Sequence, residues 1–226
     1  MSRTFQLIAG HPVLDFVNTL DYRFRDAGPI ELLVSYADLL GFVRQSGLAE
    51  EGQCAALRVA SQATAAAKAL ASARELREAL AIWFYAADDR SPDRLKAVKT
   101  LERCFLEAGR HRELAEFRDR HLEPAPRESS ISLRVAWTWG RFEDHPRLPV
   151  WLIARAAADL LASDGTDRIH QCKSAACRWL FLDMSRNHSR CWCDMKLCGN
   201  RMKARRFQRR LKPKSSPSGL LAPSTD

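Results

Sequence analysis

Five cysteines lie within 27 residues near the carboxyl end of this 226-residue chain, and they constrain its fold more than any other feature. Two pairs share one spacing, Cys172-x4-Cys177 and Cys193-x4-Cys198, and 15 residues separate the pairs. Each pair can bind one side of a tetrahedral ion from a tight turn, and four thiolates are a ligand set of structural zinc. Four ligands leave no coordination position for a reacting water. The spacing therefore predicts one structural Zn2+ without a catalytic role.

Unpaired buried thiols are the alternative interpretation of these cysteines, but their spacing and the surrounding turns strongly favour a metal site. The total of seven is odd, and the first ten residues lack the cleavage site of a secretion signal, so we expect a cytoplasmic protein with reduced thiols. In that compartment metal binding is favoured over disulfides. No apolar run reaches the roughly 18 residues that a membrane helix requires, so we expect no membrane partner.

The sequence around the cysteines predicts two short strands and a helix. The strands are expected at residues 179–183 and 190–192, on either side of a turn at 185–189. Asn200 is a good N-cap for a helix over 201–211, and Gly199 gives the backbone freedom beside the last cysteine. This order predicts a treble-clef-like zinc finger with four cysteine ligands over residues 168–212. Because the segment has few aliphatic residues, the metal must supply much of its folding energy.

Positive charge is concentrated in the same region. Residues 168–214 contain 14 Lys and Arg against two acids, a net charge of +12, whereas the rest of the chain carries −3. Zinc with four thiolates carries a charge of only −2, so neutralising it accounts for a minority of the excess. The remainder favours binding to nucleic acid over a merely solvated basic face. The candidate contacts are Arg186, Arg190, Arg201, Lys203, Arg205, Arg206, Arg209 and Arg210.

Helical periodicity dominates residues 1–163, which we expect to form one domain. A capping serine and a following glycine mark one helix clearly at 35–45. The other helices are predicted at 13–22, 51–87 with a break near Ser61, 91–109, 151–161, and in a short segment holding Leu114 and Phe117.

Alternating polar and apolar residues over 131–139 predict a strand with one buried face. Its nearest candidate partner is 121–127. The fold class is therefore mainly α: a helical N-terminal domain with a small β-hairpin, and the C-terminal finger. A turn at 163–167 separates the two domains, and residues 213–226 are expected to form a disordered tail.

Four polar residues of the N-terminal domain form a candidate ligand pocket: Asp15, Asn18, Arg74 and Arg77. Asp15, Asn18 and Thr19 share one helical face at the spacing i, i+3, i+4. A buried network that fixes helix packing is the favoured alternative, because buried polar groups must be paired. An enzyme would require an open cleft here. Since the chain has none of the common phosphate-binding, dinucleotide, metalloprotease or serine-hydrolase signatures, we expect no catalysis.

Residues 193–201 form the run CDMKLCGNR, which resembles the CGNR zinc finger, a family named for the last four of these residues. Preceding it, FLDMSRN at 181–187 fits the same finger, while GHPVLDFVNT at 10–19 and ARELREAL at 73–80 resemble the ABATE domain that usually precedes it. The resemblance implies a bacterial, stress-induced transcription regulator with Cys172, Cys177, Cys193 and Cys198 as zinc ligands. The family usually has a basic residue at position 191. Here Cys191 either competes with Cys193 for the metal or is a nearby thiol.

Two functions follow from these features. The first is a DNA-binding transcriptional regulator, whose finger presents a basic helix to the phosphate backbone and whose N-terminal domain senses a small-molecule effector or forms a homodimer. The second is a zinc-clasped module that binds RNA or a protein without sequence-specific DNA binding. A salt titration of binding to duplex DNA, RNA and heparin distinguishes them.

Overall fold

The computed structural model describes residues 3–86, 91–117 and 134–211. Within these ranges the helices are α1 (Pro12–Val17), α2 (Tyr36–Gln45), α3 (Glu51–Ala60), α4 (Ala63–Tyr85), α5 (Pro92–Arg110), α6 (Leu148–Leu161) and α7 (Asn200–Leu211). Three antiparallel pairs join β1 (Leu20–Asp21) to β2 (Ile30–Glu31), β3 (Glu113–Phe117) to β4 (Arg134–Thr138) and β5 (Ile169–Gln171) to β6 (Leu180–Leu182). The mainly α fold class is confirmed. The predicted tail at 213–226 lies outside the described residues.

Local sequence signals place most helix ends. Ser35 and Asp38 form a reciprocal capping box at the start of α2, and Gly47 adopts a positive φ of 75° just after its end. Extended backbone at Ser61 and Gln62 separates α3 from α4, as the sequence predicted. Ser91 caps α5 by accepting the Arg94 backbone N–H. None of the helices in the described part of the chain is long and apolar enough to cross a bilayer.

Helix α1 ends earlier than predicted, at Val17 rather than near residue 22. The Thr19 hydroxyl donates to the Phe16 carbonyl at 2.6 Å, just before β1 begins. Tyr22, which follows β1, adopts a positive φ of 49° and turns the chain again. The early end also frees the Asn18 side chain, whose partners belong to a distant strand.

The predicted short helix holding Leu114 and Phe117 is wrong, because these residues form β3. Strand β3 pairs with β4, and Leu114 lies opposite Trp137. The proposed partner at 121–127 lies outside the described residues. The predicted buried face is wrong at Val135 and Trp137, which are exposed, whereas Trp139 is partly buried against the core. The Arg112 guanidinium covers the Trp137 ring at 4.8 Å. Backbone pairing thus prevails over a short helical pattern.

One hydrophobic core extends through both predicted domains. Helix α6 packs against α1, α4 and α5, and its Ile153 is fully buried. Leu76 of α4 and Phe42 of α2 belong to the same cluster, and so does Phe181 of β6 in the finger. The finger is therefore joined to the helical domain by packing as well as by the chain.

Candidate zinc centre and basic helix

The four cysteines of the two pairs come together at one point. The Sγ atoms of Cys172, Cys177, Cys193 and Cys198 all lie within 4.8 Å of one another. Sulfur separations are 3.6 Å between Cys177 and Cys193 and 3.7 Å between Cys193 and Cys198. Four sulfurs at about 2.3 Å from a tetrahedral zinc are roughly 3.8 Å apart. The set therefore fits one ion, and the finger contains one structural zinc site.

Cys191 lies beside this site and is not part of the cluster. Its thiol points at the Ser189 carbonyl, with a sulfur–oxygen distance of 3.4 Å. Its backbone carbonyl accepts the Lys173 N–H at 2.9 Å and so links the two halves of the finger. Of the two candidate ligands at positions 191 and 193, the structure places Cys193 in the cluster.

A turn of π-helix, Met195–Gly199, carries Cys198 into the site. The Asp194 carboxylate caps this turn by accepting the Leu197 N–H at 2.8 Å. Helix α7 continues directly from the turn, and Asn200 has helical angles of φ −67° and ψ −39°. The prediction that Asn200 is the N-cap is therefore wrong. Asp194 has this role, and an acceptor four residues before the last cysteine was the signal in the sequence.

The φ of Gly199 is not positive, so the backbone freedom of glycine does not explain why a glycine stands here. A Cβ at this position would collide with the Met195 sulfur across the π-helical turn. The Met195 thioether fills the space beside Gly199, and as the end of a flexible, half-exposed side chain it could move aside for a Cβ.

The predicted pairing of 179–183 with 190–192 is wrong as well. Strand β6 pairs instead with β5, which precedes Cys172, and Gln171 lies opposite Leu180. The first cysteine pair therefore occupies the connection of this hairpin. Residues 185–190 wrap around the buried Asp183, which accepts the backbone N–H groups of Ser185 at 2.8 Å and Arg190 at 2.9 Å.

The carboxylate of Asp183 organises this loop in its ionised form. A hydrogen bond from the Ser185 hydroxyl, together with the backbone donors, lowers the pKa of Asp183 to about 2. Sequence reasoning missed this residue, because an aspartate after a short strand has no distinctive pattern.

Hydrogen bonds tie the finger to the helical domain. The Trp179 indole donates to the Asp21 carboxylate at 2.7 Å, and the Leu182 N–H donates to the Ala9 carbonyl at 2.7 Å. Farther along, the Tyr85 hydroxyl donates to the Arg178 carbonyl at 2.9 Å. Together with the shared core, these bonds fix the β5–β6 side of the finger against the helices.

Arg190, a predicted nucleic-acid contact, is engaged inside this interface. Its Nε donates to the Trp192 carbonyl at 2.9 Å, and its guanidinium also donates to the carbonyls of Ile8, at 3.3 Å, and Cys193. The guanidinium lies 4.5 Å from the centre of the Phe181 ring. Its placement indicates that Arg190 holds the finger to the N-terminal segment.

Four other candidate basic residues are exposed in the described part of the finger. Arg186 is exposed on the loop, and Arg201, Lys203 and Arg205 are exposed on α7. A hydrogen bond with the Tyr22 hydroxyl raises the pKa of Arg201. The side chains of the last three candidates lie outside the described atoms, although their backbone is helical: Arg206, Arg209 and Arg210.

The structure divides the four candidate pocket residues between two sites. Asp15 and Asn18 line a cavity of about 350 Å³ between the N-terminal segment, α1 and the finger. Arg74 and Arg77 do not line this cavity and instead contact the segment at Glu31 and Leu33. The buried Arg77 forms two bonds with the Glu31 carboxylate, at 2.6 and 2.7 Å, while Arg74 donates to the Leu33 carbonyl at 2.6 Å.

Asp15 supports the wall of this cavity. One of its carboxylate oxygens accepts the backbone N–H groups of Ile8 at 3.0 Å and Ala9 at 2.9 Å. Burial nevertheless raises the pKa of Asp15 to about 6, because desolvation of the charged form outweighs these two bonds.

Comparison with protein families agrees with this geometry. Residues 10–164 match the ABATE family model, described as "Putative stress-induced transcription regulator", and residues 168–211 match the CGNR zinc finger model. A search of curated proteins finds no match. Because the first model alone covers more than half of the chain, this protein belongs to the ABATE family and carries a CGNR zinc finger at its carboxyl end.

Proposed function

We propose that this protein is a transcriptional regulator that binds DNA through α7. The observation that carries the proposal is the division of the finger into two sides. Trp179, Leu180 and Phe181 of the hairpin side are buried against the helical domain. On the other side, Lys203 and Arg205 are exposed on α7, whereas Arg201 faces the cavity beside Tyr22.

The charge of α7 supports a phosphate partner. The described side chains of this helix include three exposed cations, Arg201, Lys203 and Arg205, and its first turn contains no acidic residue. Clustered exposed cations of this kind favour a polyanionic partner such as the phosphate backbone. An aromatic residue among them, Phe207, is 63% exposed and suits apolar contact with bases.

The basic surface predicts a strong salt dependence. For duplex DNA the logarithm of the binding constant falls with log salt by a slope of about −0.9 per contacted phosphate. Fluorescence anisotropy with duplex DNA, RNA of the same sequence and heparin, each titrated with salt, tests the proposal. We expect tighter binding to DNA than to RNA or heparin. Equal binding to all three would contradict a DNA-binding function.

A charge-matched pair of variants locates the surface. Lys203→Ala with Arg205→Ala removes two cations from α7, whereas Lys96→Ala with Lys99→Ala removes two exposed cations from α5. We expect the α7 variant to reduce the slope by about 0.9 for each lost phosphate contact and the α5 variant to leave it unchanged. The same loss in both variants would indicate a diffuse charge effect.

A second candidate function is an interaction module that binds RNA or a protein, with the zinc unit as a structural clasp. The bonds from Trp179 to Asp21 and from Leu182 to Ala9 favour it, because they fasten the finger to the helices. Preferential binding of RNA in the same titration would support this function over DNA binding.

The regulator proposal includes an effector site and a homodimer. The cavity beside Asp15 supports the first, since its lining also includes Arg201 of α7. A bound molecule there would touch the proposed DNA-binding helix directly.

Analytical ultracentrifugation tests the proposed homodimer, and a monomer across the concentrations used for DNA binding would contradict it.

A further inference from the structure

The cavity between the two domains opens onto the zinc ligands. Cys177, Cys193 and Cys198 line it, whereas Cys172 does not. As a residue, Cys177 is half-buried whereas the other three are buried, although all four members of the sulfur cluster are covered. A small molecule that enters the cavity therefore lies beside three of the four zinc ligands, of which Cys177 is the least buried residue.

We propose that the cavity makes the zinc centre a modification site for small hydroperoxides, with Cys177 as the attacking thiolate and Cys193 as the resolving one. The inference names the stimulus of the proposed regulator, but its chemistry does not require DNA binding. Metal-bound cysteines are deprotonated, and the thiolate is the form that reacts with peroxide.

The reaction balances in two steps. The Cys177 thiolate attacks the terminal peroxide oxygen, the O–O bond breaks, and a sulfenic acid forms with loss of hydroxide from hydrogen peroxide or alkoxide from an alkyl hydroperoxide. The Cys193 thiolate then attacks the Cys177 sulfur, the S–O bond breaks, and hydroxide leaves as the disulfide forms. The two sulfurs together lose two electrons, the peroxide gains two, and the buffer neutralises the two bases released.

The Cys193 sulfur lies within reach of Cys177, and both residues line the cavity. The two sulfurs are 3.6 Å apart, so formation of a bond of about 2.05 Å requires only a small local movement. Cys191 points away from them at the Ser189 carbonyl. Burial raises the pKa of Cys54 and of Cys104, which keeps these two thiols protonated and unreactive.

Oxidation would release the metal and loosen α7. A disulfide between Cys177 and Cys193 removes one ligand from each half of the finger. Cys198 and the π-helical turn then lose the anchor from which α7 extends. The same cavity that admits the oxidant is lined by Arg201, in the first turn of that helix.

The test uses the zinc-loaded full chain and hydrogen peroxide. A chromogenic chelator reports zinc release, and peptide mapping under non-reducing conditions identifies the disulfide. We expect loss of one zinc and two thiols per chain, with a cross-linked peptide containing Cys177 and Cys193. Retention of zinc, or a disulfide that includes Cys172 or Cys191, would overturn the proposal.

A variant of the cavity wall tests whether peroxide reaches the cysteines through the cavity or oxidises them from any side. Thr4 is exposed and lines the cavity, so Thr4→Trp narrows it, while Thr64→Trp makes the same change at an exposed position in the first turn of α4. Both should load one zinc. We expect several-fold slower zinc release for Thr4→Trp and an unchanged rate for Thr64→Trp. Equal rates in all three proteins would show that the cavity is not the route. DNA binding does not enter either measurement, so failure here is distinct from failure of the proposed function.

Discussion

The side-chain amide of Asn18 forms two hydrogen bonds with the backbone of Leu180. Its oxygen accepts the Leu180 N–H at 3.0 Å, and its nitrogen donates to the Leu180 carbonyl at 2.9 Å. Both residues are buried, and 162 positions separate them in the sequence. The amide thus supplies partners to the backbone N–H and carbonyl of Leu180 in β6, as a neighbouring strand would. This bond pair joins α1 to the zinc finger.

Asn18→Ala should lower the free energy of unfolding by about 1 to 3 kcal/mol, because it leaves a buried backbone donor and acceptor without partners. Urea denaturation of the zinc-loaded protein measures this. Asn187→Ala removes an exposed amide from the finger loop and serves as the matched control, with an expected change near zero. An Asn18→Ala protein as stable as the control would show that solvent replaces both bonds.

Arg77→Met should cost about 2 to 4 kcal/mol of stability. The variant leaves Glu31 without its main cationic partner, although Glu31 stays partly exposed, which limits the loss. Arg103→Met breaks a pair with Glu75 in which both side chains are about half exposed, and we expect at most about 1 kcal/mol there. Chemical denaturation of both variants compares the losses. Similar values would mean that burial of Arg77 adds nothing.

Asp15 gives the protein a specific pH dependence. Burial raises its pKa in the folded state from 3.8 to about 6, so folding favours the protonated form. This contribution of Asp15 to the free energy of unfolding is complete below pH 3.8 and is lost as the pH rises through about 6. The contribution is absent in Asp15→Asn. The stability of the natural protein relative to Asp15→Asn should therefore fall over this interval.

Thermal unfolding in buffers of increasing pH, with zinc saturating, measures this difference. Asp164→Asn changes an exposed carboxylate in the connection between the domains and is the control. For that variant the difference from the natural protein should stay flat. A flat difference for Asp15→Asn as well would show that Asp15 remains ionised in the folded protein.

Removal of zinc should unfold the finger and leave most of the helices in place. The metal supplies much of the folding energy of such small units, about 10 to 16 kcal/mol in isolated zinc-finger peptides. In contrast, the packing of α2, α4 and α5 uses residues such as Leu40, Leu76 and Leu101, which need no metal. Addition of a chelator should reduce the far-UV circular dichroism by roughly the share of α7, and zinc should restore it. Complete loss of the helical signal would contradict this division.

The zinc cluster and the helical class could be predicted from sequence because both depend on short-range patterns. Ligand spacing, capping residues such as Ser35 and Ser91, and apolar periodicity all act within a few positions. These patterns predict helices α2 to α6 close to their observed bounds. They also identify the four cysteines that form the zinc site.

The errors arise where distant segments pair. Leu114 has a helical neighbourhood but lies opposite Trp137 in a hairpin. The sequence predicts a strand at 190–192, yet the Asp183 carboxylate accepts the Arg190 N–H and holds this segment in a loop. The role of Arg190 was missed for the same reason, since its carbonyl partner at Ile8 is 182 positions away. No local pattern in the sequence reports such partners.

The continuous core has a practical consequence for dissection of this protein. Truncation in the connection near Gly165 would strip Phe181 and Trp179 from one fragment and uncover the face of α1 that packs against β6 in the other. Neither piece would keep its native surface, and both would be prone to aggregate. The two modules that family models recognise separately are thus a single unit for expression, crystallisation and genetic exchange.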